Sequence, residues 1–117
     1  MGQQYQKNRR VTVTLEKKIR YPAIHRLKSD LTKKNIPHVF APDGDGYKIT
    51  YPSSEKGKKR CVVREHQFSK GHEDDLLEIV GLLTDEERAA DTGTNAAVCG
   101  KLEETEVLRR IAEDYGR

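Results

Sequence analysis

The chain has no tryptophan, only two phenylalanines and only two cysteines among its 117 residues. Two cysteines, Cys61 and Cys99, are too few for a disulfide framework, so we expect two small buried or half-buried thiols in a reducing compartment. No apolar run approaches the roughly 18 residues that span a bilayer. The opening residues MGQQYQKNRR are charged, with no apolar stretch after them, and do not form a secretory signal. We therefore expect a cytoplasmic protein with no membrane attachment.

Charge is abundant and unevenly distributed along the chain. The formal net charge is only +3, although 35% of the residues are charged. Residues 1–70 carry 17 Lys and Arg against 6 Asp and Glu, whereas residues 71–117 carry 5 against 13. This asymmetry favours a basic surface that meets phosphates, or two halves that attract one another within a chain or between copies. The alternative is that the charges only coat two solvated faces.

The length indicates one domain. We expect a flexible basic arm over residues 1–9 and a single α+β domain over residues 10–117. Alternating Val11, Val13 and Leu15 predict a strand over residues 10–19. A helix is predicted from Pro22, which suits a first helical turn, to Asn35, which tolerates a left-handed conformation. The apolar residues at helical spacing in that segment are Ile24, Leu27 and Leu31.

The middle of the chain predicts a meander of three strands. Asp45-Gly46 is typical of a tight hairpin turn, and Tyr47, Ile49 and Tyr51 alternate after it. Residues 53–59, SSEKGKK, predict a second, longer and basic turn, and residues 59–66 predict the returning strand. Together with the first strand and helix, these elements form the basic part of the domain, residues 10–70.

The acidic part, residues 71–117, is predicted to be helical. An apolar stripe at helical spacing follows three acids that suit a helix start. Thr84 to Glu87 is a capping box for a short helix, residues 91–100 are predicted as a loop, and the last helix ends at Gly116. The predicted fold is thus a small mixed β-α-β-β-β sheet followed by two to three C-terminal helices. The residues expected to pack together are Ile24, Leu27, Leu76, Val80, Leu83, Leu108 and Ile111.

No segment has the pattern of a reaction centre. The DGDG run at residues 43–46 fails as a calcium loop because Tyr47 and Ser54 occupy ligand positions. Cys61, His66, His72 and Cys99 lack the paired spacing of a structural zinc site. No phosphate loop or nucleophile motif is present. We therefore expect no catalytic residue, no metal and no cofactor, with a small hydrolase or metal enzyme as the weakest hypothesis.

Two segments, HQFSKGHEDDLLEIVGLLTDEE and VCGKLEETEVLRRIAEDYG, carry a resemblance to a known group. They resemble small accessory proteins encoded by phages and prophages of Gram-positive bacteria, a group without an assigned activity. The matching residues are Leu76, Leu77, Glu78, Ile79, Gly81, Leu82, Leu83, Gly100, Leu102, Val107, Arg110 and Ile111. The resemblance implies a phage accessory gene acting in the host cytoplasm, and such genes often encode binders of host machinery.

Two binding functions follow from the charge layout. The first is a non-enzymatic contact with nucleic acid or a nucleotide through the basic part, with Tyr47 and Tyr51 placed to stack bases. The second is a protein-interaction inhibitor of a host nucleoprotein or defence system, of the anti-CRISPR kind. Homo-oligomerisation through the oppositely charged halves is compatible with both. The residues predicted to contact phosphate are Arg9, Arg10, Arg26, Lys28, Lys33, Lys34, Lys58, Lys59 and Arg60.

Overall fold

A computed structural model describes residues 20–53, 57–90 and 98–117. The predicted basic arm, with Arg9 and Arg10, and the predicted strand over residues 10–19 lie outside the described residues. Within them the chain forms one antiparallel five-stranded sheet and three helices. The elements are α1 (Pro22–Lys33), β1 (Val39–Asp43), β2 (Gly46–Tyr51), β3 (Cys61–Glu65), β4 (Leu77–Val80), α2 (Asp85–Ala90), β5 (Val98–Leu102) and α3 (Glu104–Tyr115).

The predicted α+β class is confirmed, and the sheet order β1-β2-β3-β4-β5 follows the chain. Each strand pairs antiparallel with the next. The mixed sheet of the prediction required a parallel strand at residues 10–19, which is not among the described residues. Two helices, α2 and α3, lie in the C-terminal part, with β5 between them.

Helix α1 forms as its sequence predicts. Pro22 stands at its first turn, where a missing N–H costs nothing. Asn35 takes the left-handed conformation, with a φ of 57°, just after the helix. The apolar stripe faces inward and is fully buried. The one unusual feature is the N-cap, Tyr21, which is left-handed and offers no side-chain hydrogen bond to the helix.

The hairpin between β1 and β2 is present, but its turn is one residue earlier than predicted. Asp43 pairs with Gly46, so the two turn residues are Gly44 and Asp45. Gly44 carries the positive φ of 63°, whereas Gly46 is the first residue of β2. Gly46 is needed for a different reason, because a Cβ there would collide with the backbone carbonyl of Glu65 on β3.

The predicted helix over the Leu76–Leu83 stripe is wrong. A single 3₁₀ turn, His72–Asp74, leads into strand β4 instead. Positive φ values of 58° at Asp75 and 100° at Gly81 bracket the segment and leave no room for a helix of useful length. A short, largely apolar run such as residues 77–80 fits a buried strand as well as a helix. Its pairing with β3 decides in favour of the strand.

The change from helix to strand also changes the core. Leu77 and Ile79 are buried on the helix-covered face of the sheet, whereas Leu76 and Val80, predicted as core, are only half-buried. Leu108, also predicted as core, is half-buried and packs against the core from α3. The predicted loop is likewise wrong at its end, since residues 98–100 belong to β5. The pairing of β4 with β5 contains a register shift, and β5 contains Gly100. Both interrupt the alternation of buried and exposed residues from which a strand is predicted.

The two C-terminal helices were predicted correctly. In α2 the capping box is complete: Glu87 N–H donates to Thr84 Oγ1 (3.1 Å) and Thr84 N–H donates to Glu87 Oε1 (3.0 Å). Helix α3 buries Val107 and Ile111 and ends before Gly116.

Helices α1 and α3 pack against each other and against one face of the sheet. The core between them holds Ile24, Leu27, Leu31, Ile49, Tyr51, Cys61, Val63, Leu77, Ile79, Leu83, Val107 and Ile111. Both cysteines are free thiols, with Cys61 buried and Cys99 half-buried as predicted. None of the helices in the described ranges is long and apolar enough to cross a membrane.

Candidate phosphate-binding cleft

A cleft of about 170 Å³ lies where the second half of α3 meets the start of α2 and the segment before β3. Its wall contains five cationic and two acidic side chains. The cations are Lys59, Arg88, Arg109, Arg110 and Arg117, and the acids are Glu113 and Asp114. The cleft therefore joins the predicted basic turn before β3 to arginines of the half that the sequence marks as acidic.

Arg110 forms the fixed floor of the cleft. Its guanidinium donates to both oxygens of Glu87 (2.8 Å each), to Glu106 (2.7 Å) and to the carbonyl of Leu82 (3.1 Å). Only 9% of the side chain is exposed. The hydrogen bonds from Arg110 lower the pKa of Glu87 to about 2, and hydrogen bonding to Glu87 raises the pKa of Arg110. This bidentate pair ties α3 to α2 and leaves Arg110 few donors for a ligand.

The rim of the cleft is more loosely paired. Arg88 reaches Asp85 at 3.4 Å, and Arg117 reaches Glu113 at 3.4 Å, with every side chain in these pairs more than half exposed. Ion pairs of this kind contribute little stability. Among the described residues, the ammonium group of Lys59 is in no ion pair. Lys59, Arg88 and Arg117 can therefore turn their donors toward a bound anion at small cost.

Lys59 is placed by a buried carboxylate. Asp114, only 6% exposed, accepts the backbone N–H of Lys59 (3.0 Å) and the hydroxyl of Tyr51 (2.7 Å). Burial, and then the hydrogen bond to Asp114, raises the pKa of Tyr51. The neighbouring Lys58 donates to the carbonyls of Tyr115 (2.9 Å) and Arg117 (2.8 Å) at the end of α3. The backbone that carries Lys59 is therefore fixed on both sides.

The electrostatics of the cleft are finely balanced. When Asp85, Glu87 and Glu106, the acids paired with Arg88 and Arg110, are counted with the lining residues, five positive charges face five negative charges among the described residues. The site thus offers several guanidinium and ammonium donors without a net positive charge. Such a site suits a phosphate group, whose oxygens accept several hydrogen bonds at once.

Among the residues predicted to contact phosphate, the structure brings Lys58 and Lys59 to the same region, and only Lys59 lines the cleft. Lys58 is instead occupied by the carbonyls of α3. Arg60 is exposed beside them. Lys33 and Lys34 are exposed at the end of α1 and do not line the cleft.

The two remaining predicted cations on α1 are engaged by other side chains. Arg26 donates to Glu104 (2.6 Å) and Asp75 (3.0 Å), so it holds α1 to α3 between two acids. Lys28 lies over the ring of Phe40, 5.6 Å from its centroid. These contacts correct the prediction that the whole exposed face of α1 is a free basic surface.

The predicted base-stacking tyrosines are not available as predicted. Tyr51 is fully buried in the core, and its hydroxyl is bound to Asp114. Tyr47 is half-buried and stacks on Phe40, with ring centroids 5.0 Å apart and planes 14° apart. The ring of His25 meets Tyr47 edge-on at 4.6 Å. The strand alternation that placed Tyr47, Ile49 and Tyr51 on one face was correct, and that face is the core.

The histidines that drew attention in the sequence organise a loop. His66 Nδ1 accepts the backbone N–H of Phe68 (3.1 Å), and His72 Nδ1 contacts the carbonyl of Ser69 (2.8 Å). Over residues 20–53, 57–90 and 98–117, no group of three or more His, Cys, Asp or Glu side chains is arranged to hold a metal ion.

Four of the five cleft cations were missed by the sequence reasoning. Arg88, Arg109, Arg110 and Arg117 lie in a part of the chain with a net negative charge, so net charge by segment concealed them. The available signal was the clustering itself, since all five Lys and Arg residues after residue 70 fall within residues 88–117, and four of them are arginines on α2, on α3 or just after α3. Comparisons with protein-family models, curated proteins and solved structures found no match to this chain.

Proposed function

We propose that this protein is a non-enzymatic binder of nucleic acid or a nucleotide that holds phosphate in the cleft between α2, α3 and the segment before β3. The observation that carries the proposal is the convergence of Lys59, Arg88 and Arg117 at the rim of a cleft whose floor is Arg110 and whose wall also contains Arg109. The proposed contact surface is thus centred on the cleft, with exposed Arg60 beside it, and no longer on residues 1–70 alone.

The side chains that line the cleft are of the kinds that bind phosphate. Arginine presents a planar fork of donors that matches phosphate oxygens, and lysine adds a point charge. Contacts to phosphate carry no sequence information, so the binding is expected to be tolerant of base sequence. The resemblance to phage accessory proteins supports a role in a host cell.

A second candidate function is inhibition of a host nucleoprotein or defence complex, of the anti-CRISPR kind. It is favoured by Phe68, which is 81% exposed on a loop whose backbone is held by hydrogen bonds. Gln67 N–H donates to Asp45 (2.9 Å), and Ser69 N–H donates to the carbonyl of His66 (2.9 Å). A rigidly presented aromatic side chain suits an apolar pocket on a protein partner.

The test is a salt series of binding by fluorescence anisotropy, with labelled single-stranded RNA, single-stranded DNA and duplex DNA. Wild-type affinity is expected to fall linearly on a log–log plot against salt, because each neutralised phosphate releases counterions. The double variant Lys59→Glu, Arg88→Glu should bind at least about tenfold more weakly. The slope of its log affinity against log salt should be smaller in magnitude by about 1.4–1.8, because two phosphate contacts are lost. Its matched control is Lys33→Glu, Lys34→Glu, which changes the charge equally on α1, away from the cleft.

Each outcome separates the proposals. If only the control variant loses binding, the contact surface is α1 and the cleft is the wrong site. If wild type binds none of the three probes at low salt, the nucleic-acid proposal is refuted. Capture of a host nucleoprotein that persists after nuclease treatment, and is lost in Phe68→Ala, would then support the second candidate.

A further inference from the structure

A fully buried glutamate lies under the first turn of α1. Glu65, at the end of β3, is 0% exposed, and its Oε1 accepts the backbone N–H of Ile24 at 3.0 Å. Its other oxygen, Oε2, is also buried and receives no donor from the described residues. An ionised carboxylate with a bare oxygen in the core is costly. A second carboxyl group, that of Asp75, accepts the adjacent amide of the same helical turn.

Asp75 holds the neighbouring N–H group of the same helix. Its Oδ1 accepts the backbone N–H of Ala23 at 2.9 Å, and its Oδ2 accepts a hydrogen bond from Arg26 at 3.0 Å. Since Tyr21 provides no side-chain cap, the two acids replace it. The first N–H groups of a helix have no partner within the helix, so these two carboxyl groups satisfy them from distant parts of the chain.

The surrounding charges favour one proton on the pair. Burial, and then the hydrogen bond with Asp75, raises the pKa of Glu65 to about 8. Burial alone would raise the pKa of Asp75, but hydrogen bonds with Glu65, the Ala23 N–H and Arg26 outweigh it and lower that pKa. The two pKa values are shifted in opposite directions, so a proton shared by the pair would lie on Glu65.

The other polar groups around the pair come from each element packed against it. From α1, Arg26 faces both acids, and its second partner is Glu104 of α3. In the chain before α1, the hydrogen bond to Asp45 and, to a smaller extent, the charge of Glu65 raise the pKa of the Tyr21 hydroxyl. From β2, Tyr47 is the cross-strand partner of Glu65. Arg26 is the only cation among them, and Asp75 and Glu104 already share it.

We propose that Glu65 and Asp75 form a proton-dependent latch: with one proton held between the two carboxyl groups, the first turn of α1 is docked on β3, and loss of that proton releases it. Ionisation of Glu65 would place two negative charges side by side in the core with one shared cation. The first turn of α1 and the chain at Asp75, just after the 3₁₀ turn, would then move apart and admit water. The latch does not depend on the proposed binding function.

Hydrogen exchange tests the latch at the two amides that it holds. The protection factors of the Ala23 and Ile24 amides, corrected for intrinsic exchange rates, are measured by NMR from about pH 6.5 to about pH 9. In wild type they should fall by up to about tenfold per pH unit as the pH rises toward the pKa of docked Glu65, and level off once Glu65 is ionised in both the docked and the released form, while amides in β2 and β3 keep their protection. The ¹³C shift of the Glu65 carboxyl group should titrate over the same range.

Glu65→Gln should remove the pH dependence without breaking the structure. The carboxamide keeps an oxygen for the Ile24 N–H and gains a permanent donor to Asp75, so it mimics the protonated acid. Asp75→Asn should lower the midpoint by at least about one pH unit, because the amide donates to ionised Glu65. Glu104→Gln is the matched control: it removes one charge near Arg26 without contacting Glu65, and should leave the transition in place.

Two results would overturn the proposal. One is a Glu65 carboxyl group that titrates in the ordinary acidic range of glutamate. The other is a wild-type loss of Ala23 and Ile24 protection that Glu65→Gln reproduces unchanged. A Glu65→Gln protein that does not fold would also count against it, since the variant preserves every hydrogen bond that the latch requires.

Discussion

Lys58 stabilises the end of α3, and replacing it tests how much a side-chain cap contributes here. Its ammonium group donates to the carbonyls of Tyr115 (2.9 Å) and Arg117 (2.8 Å), contacts that of Asp114 at 3.4 Å, and lies over the ring of Tyr115 at 5.5 Å. The last carbonyls of a helix have no partner within it and carry partial negative charge. Lys58 thus provides both hydrogen bonds and a charge.

The expected loss in Lys58→Met is about 1–2 kcal/mol of unfolding free energy. The charge at the helix end contributes ~0.3–1 kcal/mol. Two short charged hydrogen bonds to carbonyls contribute about 1 kcal/mol more, after allowance for their partial exposure to water. Methionine keeps most of the apolar stem, so packing is little changed. Lys58→Glu should cost more, because its carboxylate would face the same carbonyls.

Urea denaturation followed by circular dichroism measures the difference. The matched control is Lys33→Met, at the last turn of α1, where the lysine is exposed and only the dipole effect applies. The control should lose about 0.5 kcal/mol or less. If Lys58→Met is within about 0.5 kcal/mol of the control, the capping role is refuted. The result also matters for binding studies, because a variant that replaces Lys58, Lys59 and Arg60 together would confuse lost affinity with lost stability.

Two further outcomes test the core and the α2–α3 tie. Ile79→Asp should prevent folding, because it buries an unpaired charge at a position that is 1% exposed. Val80→Asp, at a half-buried position, should remain folded by circular dichroism. A folded Ile79→Asp protein and an unfolded Val80→Asp protein would contradict the strand register. Because the pKa of Glu87 is lowered to about 2, its pairing with Arg110 contributes stability above pH ~4.5 that is lost as pH falls through about 2. Arg110→Met should reduce stability at neutral pH and flatten that acid dependence in urea titrations; an unchanged acid profile would refute the pairing.

Elements with local signals were predictable from the sequence. Helix α1 has Pro22 at its start and Asn35 after its end, and α2 has a complete capping box from Thr84 to Glu87. These signals act between residues a few positions apart, so a sequence states them directly. The alternation along β2 likewise predicted that Tyr47, Ile49 and Tyr51 share a face, and with the returning strand over residues 59–66 it indicated the α+β class.

The candidate site was only partly predictable. Lys59 was selected from the basic turn, yet its companions at the rim, Arg88 and Arg117, lie 29 or more positions away. Arg26 was selected for its charge, but Asp75 and Glu104 engage it from two other elements. A side chain's availability to a ligand depends on acceptors that are near in space and distant in sequence, which residue type and spacing do not report.

By itself, the sequence determined the helices with local caps, the hairpin, the residues of β2 that share a face, and the unequal distribution of charge. The tertiary structure alone decided that residues 77–80 form a strand, because their backbone groups find partners on β3 and β5. It alone brought the cleft cations together, and it alone placed Glu65 and Asp75 at the first turn of a helix whose own N-cap residue makes no side-chain hydrogen bond. The physical reason is common to all three: each depends on pairing or desolvation between groups far apart in the chain, and such interactions exist only after the chain has folded.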